Sequence, residues 1–281
     1  MKQYFNRVCR VVIDGDNQLE IENCKISFEL IKSANAKENT GKIEIHNLTP
    51  ATRSLITASN SLVRLFAGYA QNKGLVEIGQ GYIASVVTSR NKTETITKIH
   101  IAEGRQKIKL KPVSLSYDKE VRLFDVLRGL EEKSGFKFKC VAVDTSAVVQ
   151  NGYSSMGAVD LVLDELSYNF GFSWSIQGGV ILIQGSEQNS SNQIMLLNAE
   201  SGLILIPEML KKCPCKLTNS SEIPPQGIYI VHSFLQPHLQ IGDLIAVESR
   251  DVNGRFKIKK ITHSGDTRGN DWYSNMEVEA A

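Results

Sequence analysis

Segments of strictly alternating apolar and polar residues recur through the first hundred positions and constrain the fold more than any other feature. In residues 25–30 the side chains of Ile26, Phe28 and Leu30 fall on one side of an extended chain, and Ser27 and Glu29 on the other. Residues 42–46 alternate in the same way, and the small, polar stretch 33–41 between the two suits a hairpin connection. Asn47-Leu48-Thr49-Pro50 then marks a change of element. Thr49 is a good helix N-cap, and Pro50 is a good first helical residue because the N–H it lacks would have no partner there. A short helix through about Ile56 follows. Strand patterns resume at 62–69, 75–87 and 93–102, broken by Asn72-Lys73-Gly74 and Arg90-Asn91-Lys92. Strands at this density, with turn signals between them, predict a barrel or sandwich.

The pattern changes near Pro112. Residues 122–134 carry Leu123, Val126, Leu127 and Leu130 at helical spacing, with Gly135 placed to end the helix. Alternation returns over 136–143. A second helix is predicted over about 157–169, with Val159, Val162, Leu163 and Leu166 on one side and Gly171 after it, and then a hairpin, 172–176 and 180–184, around Gln177-Gly178-Gly179. The two helix–strand units match at an offset of 36 residues: Val126, Leu127, Leu130, Gly135 and Phe136 correspond to Val162, Leu163, Leu166, Gly171 and Phe172, and Phe138 corresponds to Trp174. Either a duplication or the common form of an amphipathic helix with a glycine stop produces such a match. A polar linker, 185–193, leads back to β character, with strands expected at 228–234, 244–249, 255–261 and 272–278 and a hairpin turn at Asn253-Gly254. Residues 213–227, with three prolines, read as a long loop. The chain therefore divides into a β segment 1–111, an α/β segment 112–185 and a β segment 186–281, and the fold class is α+β, predominantly β.

With 42% hydrophobic and 22% charged residues, neither disorder nor a membrane span is indicated, and no apolar run approaches the roughly 20 residues a membrane helix needs. The N-terminus lacks the apolar core of a signal peptide, so synthesis in a cytoplasm is expected. The formal charge of +2 argues against specific nucleic-acid binding, which draws on a basic excess. The richest basic stretch, 107–111, reads as a strand with a solvated side. Five scattered cysteines (Cys9, Cys24, Cys140, Cys213, Cys215) make a poor disulfide framework, and Cys213-Pro214-Cys215 lacks the second ligand pair of a zinc site. No cofactor, metal or small-molecule substrate is expected.

A search for catalytic groups yields no site residue. No two of His46, His100, His232, His238 and His263 have metal-binding helical spacing, and no nucleophile elbow or phosphate-cradling loop is present. Asp160, Asp164 and Glu165 have the residue types of the paired carboxylates of glycosidases, but their spacing spreads them over a solvated helix face opposite Val162 and Leu166. His263-Ser264-Gly265-Asp266 sets a nucleophile between a base and an acid, yet triads are made in space and not by adjacency, and the tetrapeptide reads as a loop. Trp174 and Trp272 read as core or interface residues and not as a sugar-binding platform.

Two stretches resemble bacteriophage tail baseplate hub proteins. The first is residues 26–30, a polar gap, and then 41–53 with its Asn47-Leu48-Thr49-Pro50 corner; it is similar to that family's N-terminal barrel. The second is similar to the C-terminal barrel. It comprises Pro237-His238-Leu239-Gln240-Ile241-Gly242-Asp243 with the strand after it, then residues 253–258, 260–266 and Trp272-Tyr273. The insert between them resembles the small α/β modules of secretin N-terminal rings. The resemblance implies two tail-tube-like β-barrel domains flanking a small α/β module. It also implies a homotrimeric ring joining a tail tube to the tip or spike, a place in the virion after assembly in the host cytoplasm, and no shared catalytic residues. A ring component of a bacterial secretion or contractile injection machine is the alternative. A tail-associated cell-wall hydrolase and a carbohydrate-binding module rank below it.

Overall fold

A computed structural model describes residues 4–14, 18–34, 39–56, 61–71, 74–103, 111–141, 143–177, 179–185, 194–212 and 227–281. The Cys213-Pro214-Cys215 pair, most of the basic stretch 107–111, most of the linker 185–193 and almost all of the loop 213–227 lie outside these residues.

In chain order the elements are β1 (Arg7–Asp14), β2 (Leu19–Ile21), β3 (Ile26–Ser33), β4 (Thr40–His46), α1 (Pro50–Ile56), β5 (Leu62–Tyr69), β6 (Gly74–Asn91) and β7 (Glu94–Ala102). Then come β8 (Pro112–Tyr117), β9 (Val121–Arg122), α2 (Leu123–Ser134), β10 (Phe138–Val141), β11 (Val148–Val149), β12 (Tyr153–Ala158), α3 (Val159–Phe170), β13 (Ser173–Gln177) and β14 (Val180–Gln184). The last are β15 (Met195–Leu197), β16 (Glu208–Lys212), β17 (Gly227–Phe234), β18 (Leu244–Glu248), β19 (Asn253–Asp266) and β20 (Trp272–Ala280). The protein is predominantly β, as its alternation predicts.

The chain forms two compact units: Met1–Ser33 with Asn39–Ala102 and Asn192–Ala281, and Ala34–Glu38 with Glu103–Ser191. The β segments at the two ends of the sequence therefore meet in one unit. They do so in a single sheet of order β16-β17-β20-β19-β3-β4-β7-β6-β5-β1-β2, with β18 and β15 attached to β19. Among the described residues this order has two ends and no pairing closes it into a barrel. The junction is β3 against β19, antiparallel from Ser33↔Lys260 to Ser27↔Asp266. Strand β19 changes partner along its length. Residues 253–257 pair with β18, a register shift follows between Ile258 and Lys260, and the remainder pairs with β3. A bulge of this kind bends a strand and re-aims the residues beyond it.

The core spans the junction. Ile26, Phe28, Leu30, Ile43, Ile45, Ile99 and Ile101 pack in one cluster with Leu235 and Trp272 from the far end of the chain. The Phe28 and Trp272 rings meet edge to face at 5.5 Å, worth about 0.5–1.5 kcal/mol beyond burial. Gly265 is opposite Phe28 in the ladder, and a Cβ there would lie 2.4 Å from the Phe28 ring and 2.8 Å from Trp272. Arg7 secures the same corner. Its guanidinium donates to the carbonyls of Asp266 (3.2 Å), Gly269 (2.7 Å) and Asn270 (3.1 Å) and lies 5.5 Å over the Trp272 ring.

The Asn47 corner has a local cause. Asn47 takes φ +56, a region Asn tolerates, and exchanges hydrogen bonds with Thr95: its N–H to the carbonyl (2.7 Å) and its Oδ1 from the N–H (3.0 Å). The Thr49 hydroxyl caps α1 by accepting the Thr52 N–H at 3.1 Å. At the other marker, Gly242 has φ +88 and the Asp243 carboxylate accepts the Gln240 N–H at 2.8 Å. The Asn253-Gly254 expectation is corrected: both residues start β19, paired with Glu248 and Val247. The turn is instead Ser249–Val252, where the Ser249 N–H finds Asn253 Oδ1 (2.9 Å) and the Val252 N–H finds Ser249 Oγ (3.0 Å), so Asn253 serves as a side-chain cap.

In the second unit α2 and α3 are both twelve residues long, and the offset of 36 holds at both ends of both helices. Each ends on a left-handed glycine, Gly135 (φ 72) and Gly171 (φ 67), whose N–H returns to Glu131 and Ser167. The strands diverge. In the sheet β10-β14-β13, β10 runs parallel to β14 and β13 antiparallel. Val126, Leu130, Val162, Leu163, Leu166 and Trp174 lie in one buried cluster.

Gly265→Ala is expected to lower stability by about 1–3 kcal/mol through overpacking against Phe28 and Trp272, read as a fall in Tm. A mild effect comparable to an exposed Gly→Ala change would show that the corner can relax.

Candidate assembly surfaces

The groups weighed for chemistry are placed apart. His263 is completely buried in β19, correcting the loop reading of residues 263–266. Consecutive residues of a strand point to opposite faces. His263 therefore points into the core, its Nδ1 2.8 Å from Ser274 Oγ, while Ser264 and Asp266 point outward. The outward pair lines an open polar hollow of about 360 Å³ with Glu29, Lys42, Glu44 and Asp271. Base and nucleophile of that tetrapeptide cannot meet. Burial, with a smaller contribution from the Lys32 charge, lowers the His263 pKa to about 3, so the imidazole is neutral at pH 7. Ser274 is the hub of this small buried network: its Oγ also accepts the Gln236 N–H (2.9 Å), and its carbonyl accepts the Ser233 hydroxyl (3.2 Å).

Of the other histidines, His46, His100 and His232 lie apart in the sheet and His238 lies in the turn after β17. His46 pairs with Glu94 (3.1 Å) and His232 with Asn275 (2.8 Å). His100 and His238 are exposed. Among the described residues no group of three or more His, Cys, Asp or Glu is arranged to hold a metal ion. Burial pushes the Cys9 thiol to about 12, which leaves it protonated and unreactive.

The carboxylates of α3 do not all lie on a solvated face. Asp160 is buried, and its Oδ1 accepts the Leu161 N–H at 3.0 Å. Asp164 and Glu165 are exposed and bonded locally. Trp174 Nε1–H donates to Asp164 (2.9 Å), and the Ser155 hydroxyl donates to Glu165 (2.9 Å). In the outer hollow, hydrogen bonds from Lys42 and then Lys98 hold the Glu44 carboxyl below its usual range against a partial desolvation penalty. These are structural ion pairs on a sheet face. None sets a nucleophile beside a base.

What the first unit does present, among the described residues, is strand edge without a partner. Strand β16 ends the sheet, and the chain before it runs alongside β17 as well. Leu203 bridges Ser233, and the Ile204 N–H donates to the His232 carbonyl at 3.0 Å. Along this margin Ile204, Leu205, Ile206, Met209 and Leu210 are all exposed, with Leu205 at 53% and Leu210 at 54%. Pro207 sits among them, as edge strands allow. A contiguous set of large apolar residues on a sheet margin is a template for another chain. A second edge lies along β6. Its pairing with β5 ends at Tyr82, and from Ser85 to Asn91 it has β7 on one side and no described strand on the other. This β6–β7 hairpin closes tightly at Lys92 (φ 53) and carries Val87, half exposed, with Thr88, Ser89 and Arg90 around it. Neither edge stands out in the sequence, because an edge strand and an interior strand alternate alike.

No protein-family model and no curated protein matches the sequence. Solved structures do match, over nearly the whole length. The 43 kDa tail protein of prophage MuSo2 from Shewanella oneidensis is 9% identical, with a TM-score of 0.65 and coverage of 98% of both chains. The tail protein from Neisseria meningitidis is 9% identical, with a TM-score of 0.69 and coverage of 98% of this chain and 97% of that one. The fold is that of a phage tail protein. It is shared with a component of the Escherichia coli type VI secretion system that itself exhibits structural similarity to the T4 bacteriophage tail proteins gp27 and gp5 (12% identity, TM-score 0.64, 96% of this chain and 76% of that one). The sequence resemblance to hub proteins and the likeness of fold thus point the same way, and the tail-protein fold accommodates both the terminal β segments and the α/β unit between them.

The neutral, buried His263 makes stability pH-dependent in a defined sense. Because its folded pKa lies below the unfolded value near 6.5, the unfolded chain binds the extra proton first, and stability falls as pH drops from about 6.5 toward 3. Comparing urea unfolding of wild type with His263→Asn, the wild-type advantage at pH 7 should shrink by about 2–3 kcal/mol at pH 4.5. An advantage unchanged with pH would mean that the imidazole is not held neutral.

Proposed function

We propose that this protein is a structural baseplate hub (tail tip) protein of a bacteriophage tail. In this reading it forms a trimeric ring that joins the tail tube to the tip or spike, and its work is mechanical and interfacial, with no catalysis. The observation that carries the proposal is the pairing of a tail-protein fold over nearly the whole chain with an apolar sheet margin that no described strand covers. A sheet margin with five exposed large apolar residues invites uncontrolled association unless a defined neighbour covers it. Ring symmetry supplies such a neighbour and fixes the number of copies.

The sheet is read as two tail-tube-like modules, one built on β1 to β7 and the other on β15 to β20, with the α/β segment between them. Three subunits would then offer six similar modules to a six-fold tube. The β6–β7 hairpin and the 204–210 margin are the surfaces we assign to neighbours. The partners are other copies of this chain together with tube, spike or other tail-tip proteins. The site of action is the virion baseplate, after assembly in the host cytoplasm. A hub role requires no cofactor and no small-molecule substrate.

One observation favours a second reading. The likeness to a type VI secretion component is nearly as high as the likeness to the tail proteins, so a ring in a cellular injection machine is the alternative. Co-assembly with purified phage tube and spike proteins, viewed by electron microscopy, separates the two.

Native mass spectrometry of the full chain is expected to show a trimer. Leu205→Glu with Leu210→Glu should shift it to monomer with little change in Tm, since both side chains are already half in water. A strict monomer at high concentration in the presence of tube and spike proteins would overturn the ring. Zymography against peptidoglycan should give no lytic band, and a clear band would overturn the structural role.

A further inference from the structure

The α/β unit conceals a charge division that its composition averages away. Between Lys111 and Lys139 there are seven Lys and Arg against five Asp and Glu, a net charge of +2. From Cys140 to Gly185 there are four Asp and Glu and no Lys, Arg or His, a net charge of −4. The boundary falls between the two helix–strand halves. Helix α2 and strand β10 belong to the basic half and α3 and β13 to the acidic half, with β10 and β13 on opposite edges of the three-stranded sheet, while β8 of the basic half pairs with β12 of the acidic half.

The two helices provide an internal control for their outward faces. At the offset of 36, Asp125 and Glu132 of α2 correspond to Leu161 and Tyr168 of α3. On α2 those positions are charged and ion-paired, Asp125 with Arg122 (2.9 Å) and Glu132 with Arg128 (3.2 Å). On α3 they are apolar and bare: Leu161 is 63% exposed and Tyr168 90%, with Met156 of the adjoining β12 at 85%. The fold therefore does not demand apolar residues there. A helix of the same length and with the same glycine stop carries ion pairs at the same positions, one of them to its own N-cap, Arg122.

We infer that the α3–β12 face of one copy docks head-to-tail on the basic half of the next copy, making the α/β unit a second, electrostatically coded contact between subunits. Charge complementarity names the occupant, since the chain itself carries the opposite charge on the other half of the same unit. A contact between two different faces is heterologous, and such contacts close into rings when the rotation allows. The exposed parts of Met156, Leu161 and Tyr168 offer on the order of 400 Å². One side of a stable interface buries about 800 Å², so this contact supplements another. The inference rests on the ring reading and adds to it the surface that orients neighbouring copies.

The test uses the full-length chain. A mixture of unlabelled and ¹⁵N-labelled protein is treated with a carbodiimide, which joins amines to carboxylates in direct contact. Cross-links between copies are expected to join Lys133, Lys137 or Lys139 to Asp164 or Glu165. Glu165→Lys with Tyr168→Lys should weaken self-association by roughly tenfold or more, as should Lys137→Glu with Lys139→Glu. All four changes in one chain should recover most of the loss, because the exchanged charges attract again, and that recovery also shows that the variants fold. If wild type assembles while the reversals change nothing and the cross-links are absent, the contact is overturned and the ring stands. A wild type that stays monomeric with its tail partners present overturns both.

Discussion

The antiparallel ladder between β3 and β19 is the interaction on which the rest of the structure depends. It joins strands from opposite ends of the chain, and every feature nearby exists to let them approach. Gly265 leaves room for the Phe28 ring, Trp272 closes the core over it, and Thr267 Oγ1 accepts the Ile26 N–H across 241 residues of sequence. The register shift after Ile258, in the pairing of β19 with β20, falls where the other edge of β19 passes from β18 to β3. Without that ladder the chain would hold two smaller sheets, each with a raw edge and half a core. With it, the edges that have no described partner lie at β2, β16 and the distal part of β6.

Much of this is legible in residue order. Alternation locates β3, β4, β5, β7, β17 and β20, because one buried face forces a period of two. Glycine stops locate the ends of α2 and α3, and the Thr49-Pro50 pair locates α1. Three kinds of information are not legible. Short edge strands such as β2, β15 and β16 have too few residues to show a period. The turn at 249–252 is displaced from the Asn253-Gly254 signal, because Asn253 acts there through its side chain and not through its backbone. The junction of the two ends is invisible as well, since nothing local in Ser27–Ser33 names its partner. The candidate surfaces are harder still. The same alternation describes a strand with two neighbours and a strand with one, and only three dimensions show which side is bare.

Charge illustrates the same limit. A total of +2 argues against a large class of partners, yet it hides two parts of the α/β unit with charges of opposite sign. Helical equivalence between α2 and α3 makes the contrast interpretable: one scaffold carries ion pairs, the other bare apolar groups and unbalanced carboxylates. The buried His263 stands apart from both. Its place among Ser274, Ser233 and the Gln236 backbone marks it as part of the core's polar stitching, and its proximity in sequence to Ser264 and Asp266 has no chemical meaning.

The long reach between β3 and β19 also sets an order of events at the ribosome. The α/β unit draws almost all of its residues from one continuous stretch and can condense as soon as that stretch has emerged. The large sheet has no such freedom, because β3 must wait with one edge open until β19, more than two hundred residues later, has been made. Nascent chains will therefore carry an unprotected strand for most of their synthesis, and truncation anywhere before β19 will leave a product prone to aggregate.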